Sequence, residues 1–287
     1  MNKIPKIANF YWGNQKMSFL RFLTIFSFVK YNPDWEIVLY TSPINNKEFE
    51  FRKTDFHSYD AIDYKNEKDY RQMLPKKIKI IEFDFKNYSF IYNDLSEAHK
   101  SDIIGWEVLS STGGIWIDMD VIFIKSLKDS CLNFKENDTF ICFDERILNL
   151  KNMNPCTPIG FLCASQNNEL YKRILEKCRN NYLIYNYQCL GAELMSDVLK
   201  NIQETRLKFP NLKIQTIDPK LIYKNTYLEI EKIFKIDCFS DYINDNAIGI
   251  HWYGGHELSC QYNNFYDHTN YKKLGESTLT RAIDLLK

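Results

Sequence analysis

The chain has 287 residues, 45% of them hydrophobic, which is enough for one substantial core with helical additions. Lysine and arginine together number 37, as do aspartate and glutamate, so the formal net charge is zero. That balance argues against a nucleic-acid partner, whose usual footprint is a basic excess.

In chain order, Ile7–Trp12 (IANFYW) reads as a buried strand followed by a turn at Gly13-Asn14. Ser18 to Tyr31 reads as a helix, stopped at Asn32-Pro33 because the residue before proline is pushed out of helical geometry. Its apolar part, Met17 to Val29, is interrupted by Arg21 and is shorter than the ~20 residues a membrane-spanning helix needs. No transmembrane segment is expected, which leaves only peripheral membrane contact open. No export signal is expected from the first residues either. Glu36–Tyr40 (EIVLY) is a second strand, and the strand–helix–strand order implies a parallel βαβ unit.

Residues 43–74 turn polar without a sustained period and are expected to form a surface insertion with short helices. Lys77–Phe83 returns to strand character, with Lys76, Lys77 and Lys79 as a solvated edge. Ser96 is the expected N-cap of a helix from Glu97 to about Ser111, ended by Gly113-Gly114. Strands are expected over Ile115–Ile124, Thr139–Phe143, Gly160–Ala164 and Ala247–Trp252, and helices over Glu169–Arg179 and Gly191–Thr205. No repeat or Gly/Ser linker divides the chain, so a single α/β domain over residues 1–287 is expected. The eight cysteines contain no CxxC pair, and a chain this long needs no disulfide staples. Reduced, mostly buried thiols and a cytoplasmic setting follow as expectations.

The chemistry concentrates in Gly113-Gly-Ile-Trp-Ile-Asp-Met-Asp120-Val-Ile-Phe. On a continuous strand Trp116, Asp118 and Asp120 share one face, and Ile115, Ile117, Met119 and Val121 share the other. Two carboxylates so placed at a strand end suit a hard divalent cation, Mn²⁺ or Mg²⁺, held between protein and a substrate diphosphate. Such an ion offsets charge on a departing nucleoside diphosphate. A bare Asp-x-Asp arises easily at a solvated strand end. Here a helix with an acid, a Gly-Gly stop and an apolar strand precede it. Aspartyl phosphotransferases open with the same tripeptide but want Thr or Val where Ile122 stands.

Ala98-His-Lys-Ser-Asp102 followed by Gly113-Gly-Ile-Trp-Ile-Asp-Met-Asp120 resembles the signature of the DXD sugar transferases of the capsular-polysaccharide type. Those are similar to α-1,4-galactosyltransferases and to the glucosylating domains of large clostridial toxins. Ile4–Gly13 and Asn32–Tyr40 resemble the first two strands of that group, and the likeness covers roughly the first 125 residues, with a later His-Trp block.

The resemblance implies a GT-A fold, α/β with a mostly parallel sheet. A nucleotide-binding half would span about 1–125 and an acceptor-side half about 126–287. It implies transfer of a hexose from a nucleoside-diphosphate sugar, UDP-sugar favoured, to a saccharide hydroxyl, with Mn²⁺ or Mg²⁺ and retention at the anomeric carbon.

Carried residue by residue, the resemblance puts Tyr11, Trp12 and Gly13 at the donor, with Trp12 stacking on the base. Asp102 would bond a sugar hydroxyl, Asp118 would touch ribose and metal, and Asp120 would ligate the metal. His251, in Ile248-Gly-Ile-His-Trp-Tyr-Gly-Gly-His256, is the further metal ligand it suggests. Gly254-Gly255 lets backbone approach a phosphate, with His256 and Ser259 as candidate diphosphate contacts. Gln188 and Glu193 lie in a turn segment facing either the acceptor or ordinary turn chemistry. The sequence departs from the family where Gly105 replaces an arginine three residues after Asp102. A different donor sugar, a substitute cation such as Lys100, or a nucleotide-sugar-binding pseudoenzyme would each account for that gap.

Overall fold

The computed structural model describes residues 3–42, 68–85, 88, 95–149, 154–180, 187–273 and 275–287. Eleven strands are described: β1 (Ile7–Tyr11), β2 (Glu36–Thr41), β3 (Lys79–Glu82), β4 (Gly114–Ile117), β5 (Val121–Phe123), β6 (Thr139–Cys142), β7 (Asp144–Asn149), β8 (Asn154–Cys156), β9 (Phe161–Ala164), β10 (Ile214–Ile217) and β11 (Gly249–His251). Seven of them form the main sheet in the order β10-β6-β9-β4-β1-β2-β3. Every neighbouring pair is parallel except the two that β9 makes with β4 and β6. The fold is α/β with a mostly parallel central sheet, as the opening strand–helix–strand pattern implies.

Side-chain alternation sends the strands' residues to two cores. Ala8, Phe10, Ile115, Ile117, Phe161 and Cys163 pack with helix α1 (Phe19–Tyr31) and the C-terminal elements. Tyr11, Trp116, Leu162 and Ala164 pack on the opposite face. That face is covered by α2 (Glu97–Ser110), α3 (Glu169–Arg179) and α4 (Ala192–Val198). Both helices flanking β1 start as the sequence indicates, with the Ser18 side chain accepting from the Arg21 N–H and Ser96 from the His99 N–H, each at 3.2 Å. After α2, Gly113 and Gly114 adopt φ of +70° and +99°. A Cβ on Gly113 would lie 2.6 Å from the Ala164 carbonyl, so β4 enters the sheet only with glycine there.

Two expectations are corrected, and a third lies mostly outside the described residues. The strand expected over Ile115–Ile124 is two strands, because the chain leaves the main sheet at Asp118 and turns through Met119-Asp120. β5 then pairs antiparallel with β11 in a separate two-stranded sheet. The helix expected over Gly191–Thr205 breaks into α4 and α5 (Ile202–Lys208), because Asn201 caps the second helix by accepting from the Glu204 N–H. The insertion read over 43–74 falls largely on 43–67, outside the described residues. Its end, Tyr70–Met73, is a 3-10 turn whose Tyr70 is buried against Phe19 and Phe22.

The C-terminal part adds α6 (Glu231–Phe234), α7 (Phe239–Asn244), α8 (Glu257–Phe265) and α9 (Thr278–Asp284). No helix among the described residues is long and apolar enough to cross a membrane. All eight cysteines are free thiols; Cys142, Cys163, Cys178 and Cys189 are buried, and Cys131 is exposed.

Candidate metal and donor site

The turn between β4 and β5 presents Asp118 and Asp120, and the end of β11 presents His251. Their ligand atoms all lie within 4.8 Å of one another. The two acids thus converge, but from a turn rather than from one face of a strand. Backbone bonds fix that turn: the Asp118 N–H donates to the Gly160 carbonyl, and the Trp252 N–H donates to the Asp120 carbonyl, each at 2.9 Å.

Helix α1 holds the same turn through a polar stripe at every third position. Thr24 Oγ1 donates to the Met119 carbonyl, Ser27 Oγ accepts from the Phe123 N–H, and Arg21 reaches Asp120. A spacing of three keeps these side chains on one helical face.

Each ligand is oriented by a neighbour. Trp116 Nε1 donates to Asp118 Oδ1 at 3.1 Å. Asp120 Oδ2 accepts from the Gly254 N–H at 2.7 Å, and Asp120 Oδ1 lies 3.1 Å from His251 Nε2. The His251 ring is flanked by Tyr223 and Tyr253, with centroids at 5.2 and 4.3 Å.

The two acids are driven apart electrostatically. Burial, and then the charge of Asp120, push the Asp118 carboxyl up to about 6. Burial also acts on Asp120, but His251, the Arg21 guanidinium and the Gly254 N–H outweigh it and hold that carboxyl well below the usual carboxylate range. Asp120 Oδ1 is buried and faces His251 Nε2. A buried carboxylate oxygen beside a second carboxylate and an imidazole is a donor set that fits a divalent ion such as Mn²⁺ or Mg²⁺.

Asp102, on α2, stands next to this cluster. Burial and the neighbouring Asp118 charge raise its carboxyl well above the ordinary range. The turn 187–191 closes over it: Trp106 Nε1 donates to the Leu190 carbonyl at 2.7 Å, and a Cβ on Gly191 would sit 2.7 Å from Asp102 Oδ2. Gln188 and Glu193 flank that contact in sequence. Gly105 packs its bare Cα face on the Trp116 indole, where a Cβ would lie 3.0 Å from the ring. The face on which the family carries an arginine is therefore filled by the tryptophan that orients Asp118. Lys100 does not reach into this space; its side chain is fully buried and donates to Glu97 Oε1 at 2.6 Å.

At the end of β1, Tyr11 donates to Glu97 Oε2 at 2.7 Å, and Gly13 packs so closely on the Glu97 carboxylate that a Cβ would overlap it. Arg71 donates to the Gly13 and Gln15 carbonyls and fixes this loop. Trp12 is 8% exposed, its Nε1 donates to the Gln15 carbonyl, and its ring lies against Arg21. Gly254 donates its N–H to Asp120, and His256 caps α8 by accepting from the Leu258 N–H at 3.1 Å. Ser259 is buried and donates to the Trp252 carbonyl. Glu97 and Arg21 are missed by sequence reasoning. A cation standing alone in Phe-Leu-Arg-Phe-Leu-Thr-Ile-Phe was the available signal for Arg21.

A model of the family described as capsular polysaccharide synthesis protein matches residues 57–202, just over half of the chain. The chain belongs to that family. The match runs through α2, the β4–β5 turn and α3, so the capsular polysaccharide synthesis segment contains both acids and Asp102. No curated protein matches the sequence.

Among solved structures, this family member is similar to a PaToxG glycosyltransferase at 18% identity and TM-score 0.48, with 72% of this chain and 70% of the other covered. It is also similar to the galactosyltransferase LgtC in complex with donor and acceptor sugar analogues, at 14% identity and TM-score 0.42, covering 98% and 95%. A third is the glycosyltransferase GlyE of Streptococcus pneumoniae, at 11% identity and TM-score 0.45, covering 93% and 62%.

Proposed function

We propose that the chain is a GT-A-type glycosyltransferase that moves a sugar from a nucleoside-diphosphate donor, UDP-sugar favoured, to a hydroxyl of a saccharide, in a divalent-metal-dependent reaction. One observation carries this reading: Asp118, Asp120 and His251 bring their ligand atoms within 4.8 Å of one another, at a buried turn beside the sheet. A divalent ion held there would supply Lewis-acid stabilisation of the diphosphate leaving group.

The protein's own groups prepare the rest. Trp116 and Gly254 fix the two carboxylates by hydrogen bonds from outside the ion's position. Asp102 is placed to bond a hydroxyl of the transferred sugar, and its raised proton affinity lets it donate as well as accept. Tyr11, Trp12 and Gly13 border the nucleotide end, and Gly254 and His256 border the diphosphate end. Gly191 packs against Asp102 and helps to keep bulk water from that carboxyl. Retention at the anomeric carbon is the stereochemistry that the family resemblance supports.

A thermal-shift panel of nucleotide sugars with and without Mn²⁺ tests the reading. The wild-type chain should be stabilised by one donor class only when the ion is present, and Asp118→Ala and Asp120→Ala should abolish that shift. Metal-dependent donor binding that survives in both variants refutes the assignment.

A further inference from the structure

Arg21 is only 7% exposed and lies on the inner stripe of α1. Its guanidinium is held between two indoles, 5.3 Å from the Trp12 ring centroid and 4.6 Å from that of Trp252. It also passes Gly254 so closely that any Cβ there would overlap it. Its nearest anionic neighbour is Asp120, with Nη1 4.0 Å from Oδ2, too long for a hydrogen bond. That oxygen already accepts from the Gly254 N–H. Among the described residues the guanidinium donates no hydrogen bond, and Nε is buried with no partner.

A guanidinium carries five N–H donors in a rigid plane. Buried polar groups are almost always paired, so a guanidinium whose buried Nε has no acceptor marks a place where one is missing. Charge balance gives the same answer. A divalent ion at Asp118 and Asp120 cancels their two charges, which leaves the Arg21 charge over. The acceptor is therefore anionic and rich in oxygen, and the fork of a guanidinium matches two phosphate oxygens. Packing against the two indoles restrains the guanidinium before the ligand arrives, so little freedom is lost on binding.

We propose that Arg21 is a diphosphate-binding residue: a second, protein-borne cation beside the metal position that engages the donor's diphosphate and selects it over a monophosphate. The proposal rests on the glycosyltransferase reading and adds a residue and a selectivity to it. On departure of the nucleoside diphosphate, the new negative charge on the leaving phosphate falls beside this fixed cation.

The test compares wild-type and Arg21→Gln protein by calorimetric titration with UDP and with UMP at saturating Mn²⁺, and by Mn²⁺ paramagnetic resonance without nucleotide. The variant should lose roughly 10- to 100-fold in UDP affinity, the scale of a hydrogen bond to a charged group, and far less for UMP. Mn²⁺ alone should bind the variant at least as tightly, because a repelling neighbour has gone.

Unchanged UDP affinity overturns the proposal. So does a loss of Mn²⁺ binding parallel to that of UDP, which would mean that Arg21 only holds Asp120. A wild-type chain that binds no nucleoside diphosphate overturns the glycosyltransferase reading as well, which separates the two failures.

A second measurement needs no variant. Inorganic pyrophosphate with Mn²⁺ should perturb the wild-type indole emission, since Arg21 touches Trp12 and Trp252, whereas inorganic phosphate should do so weakly. Equal responses, or none, overturn the proposal even if Arg21→Gln fails to fold.

Discussion

Gly160 is the least conspicuous residue of the site and offers a sharp test of it. A Cβ built there would lie 3.1 Å from His251 Nε2 and 3.3 Å from Asp118 Oδ2. Both are tighter than ordinary van der Waals contact, the first more than the second, so in Gly160→Ala His251 Nε2, and to a smaller extent Asp118 Oδ2, must give way to the new methyl. Ligand distances in metal sites hold to within about ±0.2 Å, so a shift on that scale at His251 weakens the site. Disturbing a group that positions a ligand typically costs about 10- to 100-fold in metal affinity, and two ligands are displaced here.

The backbone should not object. Gly160 is not among the positive-φ glycines, and Gly→Ala at a compatible position stabilises by about 0.4–1 kcal/mol through the unfolded chain. The expected variant has an unchanged or slightly raised melting temperature without metal and Mn²⁺ binding weakened by at least about tenfold. Titration followed by Mn²⁺ paramagnetic resonance, with thermal melts in chelator, measures both. Wild-type Mn²⁺ affinity in Gly160→Ala would refute the ligand assignment, because the methyl would then occupy space that no ion needs.

Two further outcomes follow from the buried charges. The Asp118 carboxyl is raised to about 6 in the folded chain, against about 3.9 unfolded, so between those values the native state holds the extra proton. The metal-free protein should therefore lose stability as pH rises through that window. The depressed Asp120 carboxyl acts only in more acidic solution, whereas the raised Asp102 carboxyl adds to the loss with the same sign. Chemical denaturation in chelator between pH 4 and 7 checks the sign, and Asp118→Asn should flatten the slope. Separately, Lys100→Met leaves the Glu97 carboxylate without its 2.6 Å partner in a buried setting, with an expected loss of about 3–5 kcal/mol. The double variant with Glu97→Gln should recover much of that loss, and a failure to recover in the melts would show that the pair is not coupled.

Most elements that build the sheet were legible because their signals are local. Ser18 and Ser96 start helices by their own side chains, and Gly113-Gly114 forces a break through positive φ. The alternation in Ile115-Trp116-Ile117 assigns faces correctly and places Trp116 beside Asp118. The end of that strand was not legible. Asp118-Met119-Asp120 fits a continuing period of two, and only the long-range bonds to Gly160 and Trp252 pull the chain into a turn. The three-residue strands β5 and β11 are too short to carry a period at all. The split of the helix expected over Gly191–Thr205 did have a local signal: Asn201 is a good N-cap, and its side chain ends one helix by starting the next.

The polar stripe of α1 shows why a site can be hidden in a segment that reads as core. Arg21, Thr24 and Ser27 recur every third residue within an otherwise apolar helix, and a hydropathy reading treats them as interruptions. Each instead meets the β4–β5 turn or the strand after it: Thr24 holds the Met119 carbonyl, Ser27 holds the Phe123 N–H of β5, and Arg21 faces Asp120. Buried polar groups are retained at a desolvation cost, and two of these three meet it with hydrogen bonds to one neighbouring segment. The helix that looks like packing is therefore what sets the geometry of the acids. Gly105 follows the same logic from the other side, because Trp116 fills its face and a large side chain there would dislodge the hydrogen bond that orients Asp118.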